Sequence, residues 1–120
     1  KAPSDQETIV SFRVLVTERA ERDLQAIYEW LAKDSPDGAE RWIDAAEAAI
    51  LSLDRRAGDC PRAPESQYVS QDVRVLMFKT RRGRKYRVVF YLQGADAIVT
   101  HVRGPGQNLI SHSDFESQDD

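Results

Sequence analysis

The sequence contains little cysteine and no long run of apolar residues. Cys60 is the single cysteine among 120 residues, so no disulfide can form within the chain, and no histidine or carboxylate cluster beside it indicates a metal site or a catalytic nucleophile. No apolar run approaches the roughly 20 residues that a transmembrane helix needs, and residues 1–10 lack the apolar middle of a secretory signal. We therefore expect a cytoplasmic protein with no membrane contact and no cofactor or metal.

Length and composition fit one globular domain. A chain of 120 residues, 41% of them apolar, can bury one hydrophobic core. The first patterned segment begins after residue 10, and the sequence is polar and acidic near its end. We therefore expect one domain over residues 11–110, between a disordered extension at residues 1–10 and a disordered acidic tail at residues 111–120.

Positive charge is concentrated in one part of an acidic chain. The formal net charge is −3, yet residues 72–104 contain eight basic residues against two acidic ones, a local charge of +6 that leaves −9 for the rest. The densest stretch is KTRRGRKYRVVFY, residues 79–91. A local positive field of this kind suits phosphate groups or an acidic protein partner.

The segment after Thr17 has the apolar spacing of an amphipathic helix. Thr17 is a suitable N-cap, because its hydroxyl can accept a hydrogen bond from a free amide of the first turn. Trp30 lies at the flank of the apolar stripe. The stripe consists of residues three or four apart: Ala20, Leu24, Ile27 and Leu31.

A second helix is predicted after the sequence DSPDG. Ser35 is its expected cap, and Pro36 suits the first helical turn. Apolar residues at helical spacing continue to Leu53, and the sequence DRRAG predicts the end, with Gly58 in the left-handed conformation. Because the joint between the helices is short, we expect an antiparallel hairpin.

Four segments are predicted as strands. FRVLVT at residues 12–17 precedes the helices, and VRVLMFKT, YRVVFYL and AIVTHVR follow them, separated by turns at RRGRK and QGAD. CPRAPESQY at residues 60–68 is expected to be an extended linker. The order β-α-α-β-β-β predicts an α+β fold, with a helical hairpin packed on a small, mainly antiparallel sheet.

Several stretches in this order resemble the RelE/ParE superfamily of toxins from type II toxin–antitoxin modules. The resemblance covers residues 12–107 and rests on VTERAERDLQAIYEWLA, SPDGAERWIDAAEAAILSL, CPRAPES and RKYRVVFYLQGADAIVTHVRG. It implies a cognate antitoxin as partner and a role in plasmid stabilisation. RelE-like members cleave messenger RNA on the ribosome, whereas ParE-like members inhibit DNA gyrase by binding, so the fold does not decide the target.

The arginine-rich segment is the candidate functional site. Arginine presents a planar fork of donors that matches phosphate, and RelE-like members are implied to use such residues to stabilise charge at phosphorus. If the chain is a ribonuclease, the catalytic candidates are Arg81, Arg84, Lys85, Arg87 and His101. Target- or phosphate-binding candidates are Arg74, Lys79, Arg82 and Arg103.

A structural interpretation of the same residues stays open. Charged turns are usually solvated, and basic residues on edge strands guard against aggregation. Strand alternation places Arg87 on the face of Val89 and Tyr91, and His101 on the face of Arg103, but leaves open whether these are the same face. For His101 the structural interpretation is a satisfied strand histidine, which is the more common role of a histidine in such a position.

Three functions are consistent with the resemblance. The first is a ParE-like toxin that binds DNA gyrase; the long helical hairpin favours it, and so does VRGPGQNLI, which lacks the His or Tyr that RelE-like enzymes carry near the last strand. The second is a ribosome-dependent endonuclease acting on mRNA. The third is an inactive relative that only binds its antitoxin. In each case Trp30 is a candidate antitoxin anchor, with core packing as the alternative role.

Overall fold

The computed structural model describes residues 11–81 and 83–105, and the predictions for residues 1–10 and 111–120 lie outside this part of the chain. The predicted element order and the α+β class are confirmed. Within these residues no helix has the length and apolar character needed to cross a membrane. The elements are β1 (Arg13–Val16), α1 (Glu18–Ala32), α2 (Pro36–Leu51), a short α3 (Leu53–Arg56), β2 (Asp72–Phe78), β3 (Tyr86–Gln93) and β4 (Asp96–Arg103).

The four strands form one open, mixed sheet in the order β1-β4-β3-β2. The last three strands pair antiparallel in sequence, as predicted, with Val75 opposite Val89 and Val88 opposite Val102. β1 pairs parallel to β4, and Val14 lies opposite Ala97. β1 is therefore an edge strand of the sheet, next to β4.

Both predicted helix caps are confirmed. The Thr17 hydroxyl accepts a hydrogen bond from the amide of Ala20 at 3.2 Å and donates to the carbonyl of Val99 at 2.9 Å. The Ser35 hydroxyl accepts from the amide of Gly38 at 3.0 Å. Because Thr17 bonds to both α1 and β4, it fixes the start of the helical hairpin against the sheet.

The predicted end of the second helix is wrong in its details. α2 ends at Leu51, and a four-residue helix and a 3-10 turn at Ala57–Asp59 continue the chain. Among the described glycines only Gly94 has a positive φ, so Gly58 does not adopt the left-handed conformation. The 3-10 turn itself supplies a partner for a free carbonyl, since the amide of Cys60 donates to Ala57 at 3.3 Å. A left-handed residue is therefore not needed.

The helices cover one face of the sheet. Phe90 from β3 and Leu53 from α3 are fully buried in the main core, together with Ala20 from α1. A second cluster joins Trp42 of α2 to Tyr86 at the start of β3, with ring centroids 5.2 Å apart. These contacts hold α2 against the end of the sheet from which the β2–β3 connection emerges.

Residues 60–70, here called the strap, cover the opposite face. The predicted linker pairs with the edge of β2, because the Ala63 amide donates to Val73 at 2.9 Å and the Val75 amide donates to Pro61 at 3.0 Å. It also contains a 3-10 turn at Pro64–Tyr68 that the sequence pattern did not predict. This pairing protects part of the exposed edge of β2.

The turn between β3 and β4 depends on glycine. Gly94 has φ of 60°, and a Cβ at this position meets no heavy atom within 4 Å, so the cost of a side chain is conformational. We expect Gly94→Ala to lower the free energy of unfolding by about 1–2 kcal/mol, and Gly94→Asn by less, because asparagine adopts this conformation more readily. Urea denaturation measures both, and equal losses would contradict the assignment.

Candidate functional site

A groove opens where the tip of the helical hairpin faces the β2–β3 loop. Its volume is about 770 Å³. One wall comes from α1 and α2, and the other from Thr80, Gly83, Arg84, Tyr86 and residues 104–105. Apolar and aromatic side chains line most of it, with two arginines among them. The lining residues that matter for its chemistry are Ile27, Trp30, Leu31, Arg41, Trp42, Arg84 and Tyr86.

The two tryptophans of the chain both line this groove. Trp42 is 97% buried and packs against Phe78 and Tyr86, and its Nε1–H has no acceptor among the described residues. Trp30 is 65% exposed, although large aromatic side chains usually lie in the core or at interfaces. The structure therefore places Trp30 on the surface, as its proposed role as an anchor requires.

The loop at residues 79–85 carries the densest positive charge. It turns at Gly83, whose amide donates to the carbonyl of Thr80 at 3.1 Å. A Cβ on Gly83 would collide with the Thr80 hydroxyl oxygen, so a larger residue here would force the Thr80 side chain to move. Arg82 lies outside the described residues. The other cations of the loop are exposed and form no ion pair within the described part of the chain: Lys79, Arg81, Arg84 and Lys85.

Arg84 lies close enough to Tyr86 for its positive charge to affect the pKa of the phenol. Burial raises the pKa of Tyr86 above its ordinary value, and the Arg84 guanidinium opposes part of that increase by stabilising the phenolate. Arg84 therefore belongs both to the basic loop and to the groove wall.

Arg87 points to the opposite face of the sheet and is paired there. Its guanidinium donates to both carboxylate oxygens of Glu65, at 3.0 and 3.3 Å. Glu65 is fully buried, and the Arg87 side chain is 18% exposed. This two-bond ion pair fastens the middle of the strap to β3.

Three of the predicted residues share this second face. Arg87 lies opposite Arg103, and Val89 lies opposite His101, so the two faces that the sequence left unrelated are one. The register then shifts, leaving Thr100 as the extra residue of a bulge. His101 is fully buried, with Nδ1 2.9 Å from the Thr100 hydroxyl. Arg103 is partly buried, and its Nε–H has no acceptor among the described residues.

Arg74 holds the beginning of the strap. It donates to the carbonyls of Gly58 and Cys60 at 2.8 and 3.0 Å and pairs with the Asp72 carboxylate at 3.1 Å.

Burial raises the pKa of the Cys60 thiol, which donates to the carbonyl of Arg56 at 3.3 Å. A protonated, buried thiol in this position has a packing role.

The predicted site residues that the structure describes therefore occupy four places. Arg84 reaches the groove with Trp30, while Lys79, Arg81 and Lys85 remain on the exposed loop. Arg87, His101 and Arg103 lie on the second face, and Arg74 lies at the start of the strap. Within residues 11–81 and 83–105, no group of three or more His, Cys, Asp or Glu side chains is arranged to hold a metal ion.

Sequence reasoning missed two polar contributors, Arg41 in the groove and Glu65 under the strap. Arg41 precedes the buried Trp42 on α2, and only the fold brings it opposite the β2–β3 loop. Glu65 lies in a proline-rich segment without periodicity, where nothing marks a carboxylate as buried. Two prolines beside an isolated acidic residue are the only local signal, and it is a weak one.

Comparison with known proteins identifies the family. The family model described as ParE toxin of type II toxin–antitoxin system, parDE, matches residues 14–108. The chain belongs to the ParE toxin family. This confirms the predicted RelE/ParE resemblance and identifies a ParE-type toxin of a type II system.

A solved structure supports the fold of this ParE-family chain. The present chain is similar to a chain in the solved structure of the chromosomal ParDE TA system from P. aeruginosa. The TM-score is 0.62 and the sequence identity is 20%, and the match covers 78% of the present chain and 96% of the other. At this identity the similarity establishes the shared fold. No curated protein matches the sequence.

The Glu65–Arg87 pair is expected to be a main support of the strap. Arg87→Met removes the guanidinium that donates two hydrogen bonds to the fully buried Glu65 carboxylate, and we expect a loss of about 3–5 kcal/mol in the free energy of unfolding. The double variant Glu65→Leu/Arg87→Met is expected to lose less than the sum of the single variants, because both charges are removed. Urea denaturation of the four proteins measures this coupling.

The exposed pair between Arg13 and Asp96 provides the matched control. The Arg13 side chain is 71% exposed, so water screens the interaction. Arg13→Met is expected to cost far less than Arg87→Met. Strict additivity in the Glu65–Arg87 cycle would show that the buried pair does not hold the strap.

Proposed function

We propose that this chain arrests growth by binding DNA gyrase without catalysis, and that a cognate antitoxin neutralises it. The observation that carries the proposal is the contrast between the sheet's two faces. The groove and the basic loop are open to a partner, whereas the side chains that a nuclease would use on the second face are covered.

The geometry of the second face favours binding over RNA cleavage. A general acid or base must come within hydrogen-bond reach of the substrate, and His101 is fully buried. Arg87, the central cation of that face, already donates to Glu65. The sequence after Arg103 is GPGQ, which supplies no proton donor or acceptor side chain of the required kind.

Ribosome-dependent cleavage of mRNA is the second candidate function. Its support is the exposed loop, where Arg81, Arg84 and Lys85 can contact a phosphate backbone, and the position of Arg103 opposite Arg87. In that case the predicted catalytic roles of Arg87 and His101 would require the strap to leave the second face. An inactive relative that only binds antitoxin is the third candidate. Continued growth when the unmodified chain is expressed would support it.

The antitoxin is proposed to cover the exposed part of the helical hairpin. Trp30 offers a large apolar contact area at the groove rim, and the loop cations offer contacts to acidic residues. A segment bound here would also cover Arg84. Neutralisation then follows from competition for the same surface.

Growth arrest is the first measurement. Induced expression is expected to stop growth, and co-expression of the neighbouring antitoxin gene is expected to restore it.

Arg81→Ala and Arg84→Ala are each expected to weaken target binding about five- to tenfold, as for a lost contact worth ~1–1.4 kcal/mol. Arg55→Ala, an exposed arginine on α3 away from the groove, is the control. Equal effects of all three substitutions would exclude the loop from target binding.

A supercoiling assay distinguishes the two candidate targets. The purified chain is expected to inhibit gyrase, so that relaxed plasmid accumulates, while ribosome-bound mRNA stays intact. Addition of antitoxin is expected to restore supercoiling. Cleaved mRNA with normal supercoiling would overturn the gyrase proposal in favour of the endonuclease.

A further inference from the structure

We infer that residues 106–120 of this chain, here called the return segment, fold back over the groove between the helical hairpin and the β2–β3 loop, with Phe115 as apolar anchor. The return segment lies outside the described residues, and its residues 109–120 extend past the match to the family model. The family resemblance therefore does not imply this contact. Support comes from the place where the chain leaves the sheet, the charge of the groove and the composition of the segment.

The chain leaves the sheet at the groove itself. β4 ends at Arg103, and the next two residues, Gly104 and Pro105, both line the groove. The sequence at residues 104–106 is Gly-Pro-Gly, a combination typical of turns, so the chain can reverse its direction at this point. The return segment therefore begins in the groove wall and does not have to cross the surface to reach it.

The groove and the return segment carry opposite charges. Arg41 from α2 and Arg84 from the β2–β3 loop line the groove, and neither forms an ion pair with a described residue. Asp34 is the acidic side chain among the lining residues, so cations are in excess. The return segment has no lysine or arginine and four carboxylates: Asp114, Glu116, Asp119 and Asp120. It can therefore neutralise the positive charge of the groove.

Phe115 provides an apolar side chain for the exposed part of the groove. Trp30 is 65% exposed at the rim, beside Ile27 and Leu31 of α1. Exposed apolar surface of this kind usually marks a contact site. Phe115 lies directly between two of the carboxylates in the sequence, so an aromatic ring and two anions reach the groove together. The segment thus offers an aromatic pair to Trp30 and carboxylate acceptors to the arginines.

Other surfaces of the described chain suit this segment less well. On the second face of the sheet, Arg87 already donates to both carboxylate oxygens of Glu65. A smaller depression on the outer side of the helical hairpin is lined by three carboxylates, Glu21, Glu40 and Glu47, which would repel an acidic segment. The groove combines accessible cations with an exposed aromatic ring, so it is the favoured location.

The connection is short enough for a weak contact to be populated. Nine residues separate Pro105 from Phe115, and an extended chain spans at most ~3.6 Å per residue, so the anchor can reach across the groove. A flexible connection of this length gives an effective concentration on the order of 1 mM. A contact with an intrinsic Kd of about 0.1–1 mM is then formed half of the time or more. The contact is reversible, as suits a polar segment with few apolar residues.

Reversible occupation makes the return segment a competitor for the groove. At an effective concentration of about 1 mM, it weakens the apparent affinity of any other groove ligand about two- to tenfold. Under the proposed function, such a ligand includes any partner that needs Arg84. The contact itself does not depend on that function, because it involves this chain alone.

Paramagnetic relaxation in the full chain detects the contact directly. Ser117→Cys allows a nitroxide label to be attached two residues from Phe115, and Cys60 is buried, so labelling is selective. The label is expected to broaden the indole N–H signal of Trp30. Leu51→Cys, labelled in the same way, is the control, because Leu51 is 69% exposed on α2 and lies outside the groove. Its label is expected to leave the Trp30 signal sharp.

Substitutions in the labelled chain test both kinds of contact. Phe115→Ser removes the anchor, and Arg41→Ala/Arg84→Ala removes the cations of the groove. Each is expected to reduce the broadening of the Trp30 signal at least about twofold, because the segment then occupies the groove less often. Arg55→Ala, outside the groove, and Gln118→Ala, which changes neither anchor nor charge, are the matched controls and are expected to leave the broadening unchanged. Circular dichroism verifies folding of each variant.

The outcomes separate the possible occupants. A sharp Trp30 signal in the chain labelled at position 117 would overturn the inference, and so would broadening that Phe115→Ser and the arginine double variant leave unchanged. Broadening between an isotope-labelled chain and a separate spin-labelled chain would assign the groove to the return segment of a second copy. Broadening without growth arrest would retain the contact and reject the toxin proposal, whereas growth arrest with a sharp signal would do the reverse.

Discussion

The central strands β3 and β4 are largely buried on both faces, so the fold must cover each face separately. The helical hairpin buries Phe90 and Val99 on one face, and the strap buries Val89 and His101 on the other. Each cover is fixed by polar bonds at specific points: Thr17 ties α1 to β4, and Glu65 ties the strap to β3. What remains open is the end of the sheet where the β2–β3 loop projects past both covers. The site follows from this constraint, because the groove lies at this end of the sheet, between the tip of the helical hairpin and the loop.

The basic segment divides into cations used by the fold and cations left for a partner. Arg74 and Arg87 have internal acceptors and lie under or beside the strap. Arg81 and Arg84 lie on the exposed loop and have no ion-pair partner among the described residues. Arginines that look equivalent in the sequence KTRRGRKYRVVFY therefore differ in role: Arg87 stabilises the fold, whereas Arg81 and Arg84 are exposed on the loop. Strand alternation and turn position, rather than charge density, decide which arginine is available to a partner.

Much of the fold could be predicted from local patterns. The caps at Thr17 and Ser35, the helical stripes and the three sequential strands are all encoded within short segments. The parallel pairing of β1 with β4 joins residues more than 80 positions apart, and no periodicity encodes it. The bulge at Thr100 likewise escapes pattern analysis, yet it determines how the later part of β4 is aligned. At the candidate site, charge density predicted the basic loop, and the place of Trp30 at the flank of a helical stripe made it the candidate anchor. Arg41 and Glu65 depend on tertiary contacts, so the sequence left them unmarked.

Arg84 connects the two halves of the proposed mechanism. As a member of the loop it contributes to the positive field that attracts an acidic surface, and as a wall of the groove it lies close to Tyr86. One side chain cannot pair with a groove-bound carboxylate and with an acidic target at the same time without sharing its donors. Under the proposed function, a ligand in the groove would therefore weaken the positive field available to the target, in addition to any steric overlap. An inhibitor bound in the groove can thus act on the loop without covering all of it, because the same guanidinium serves both surfaces.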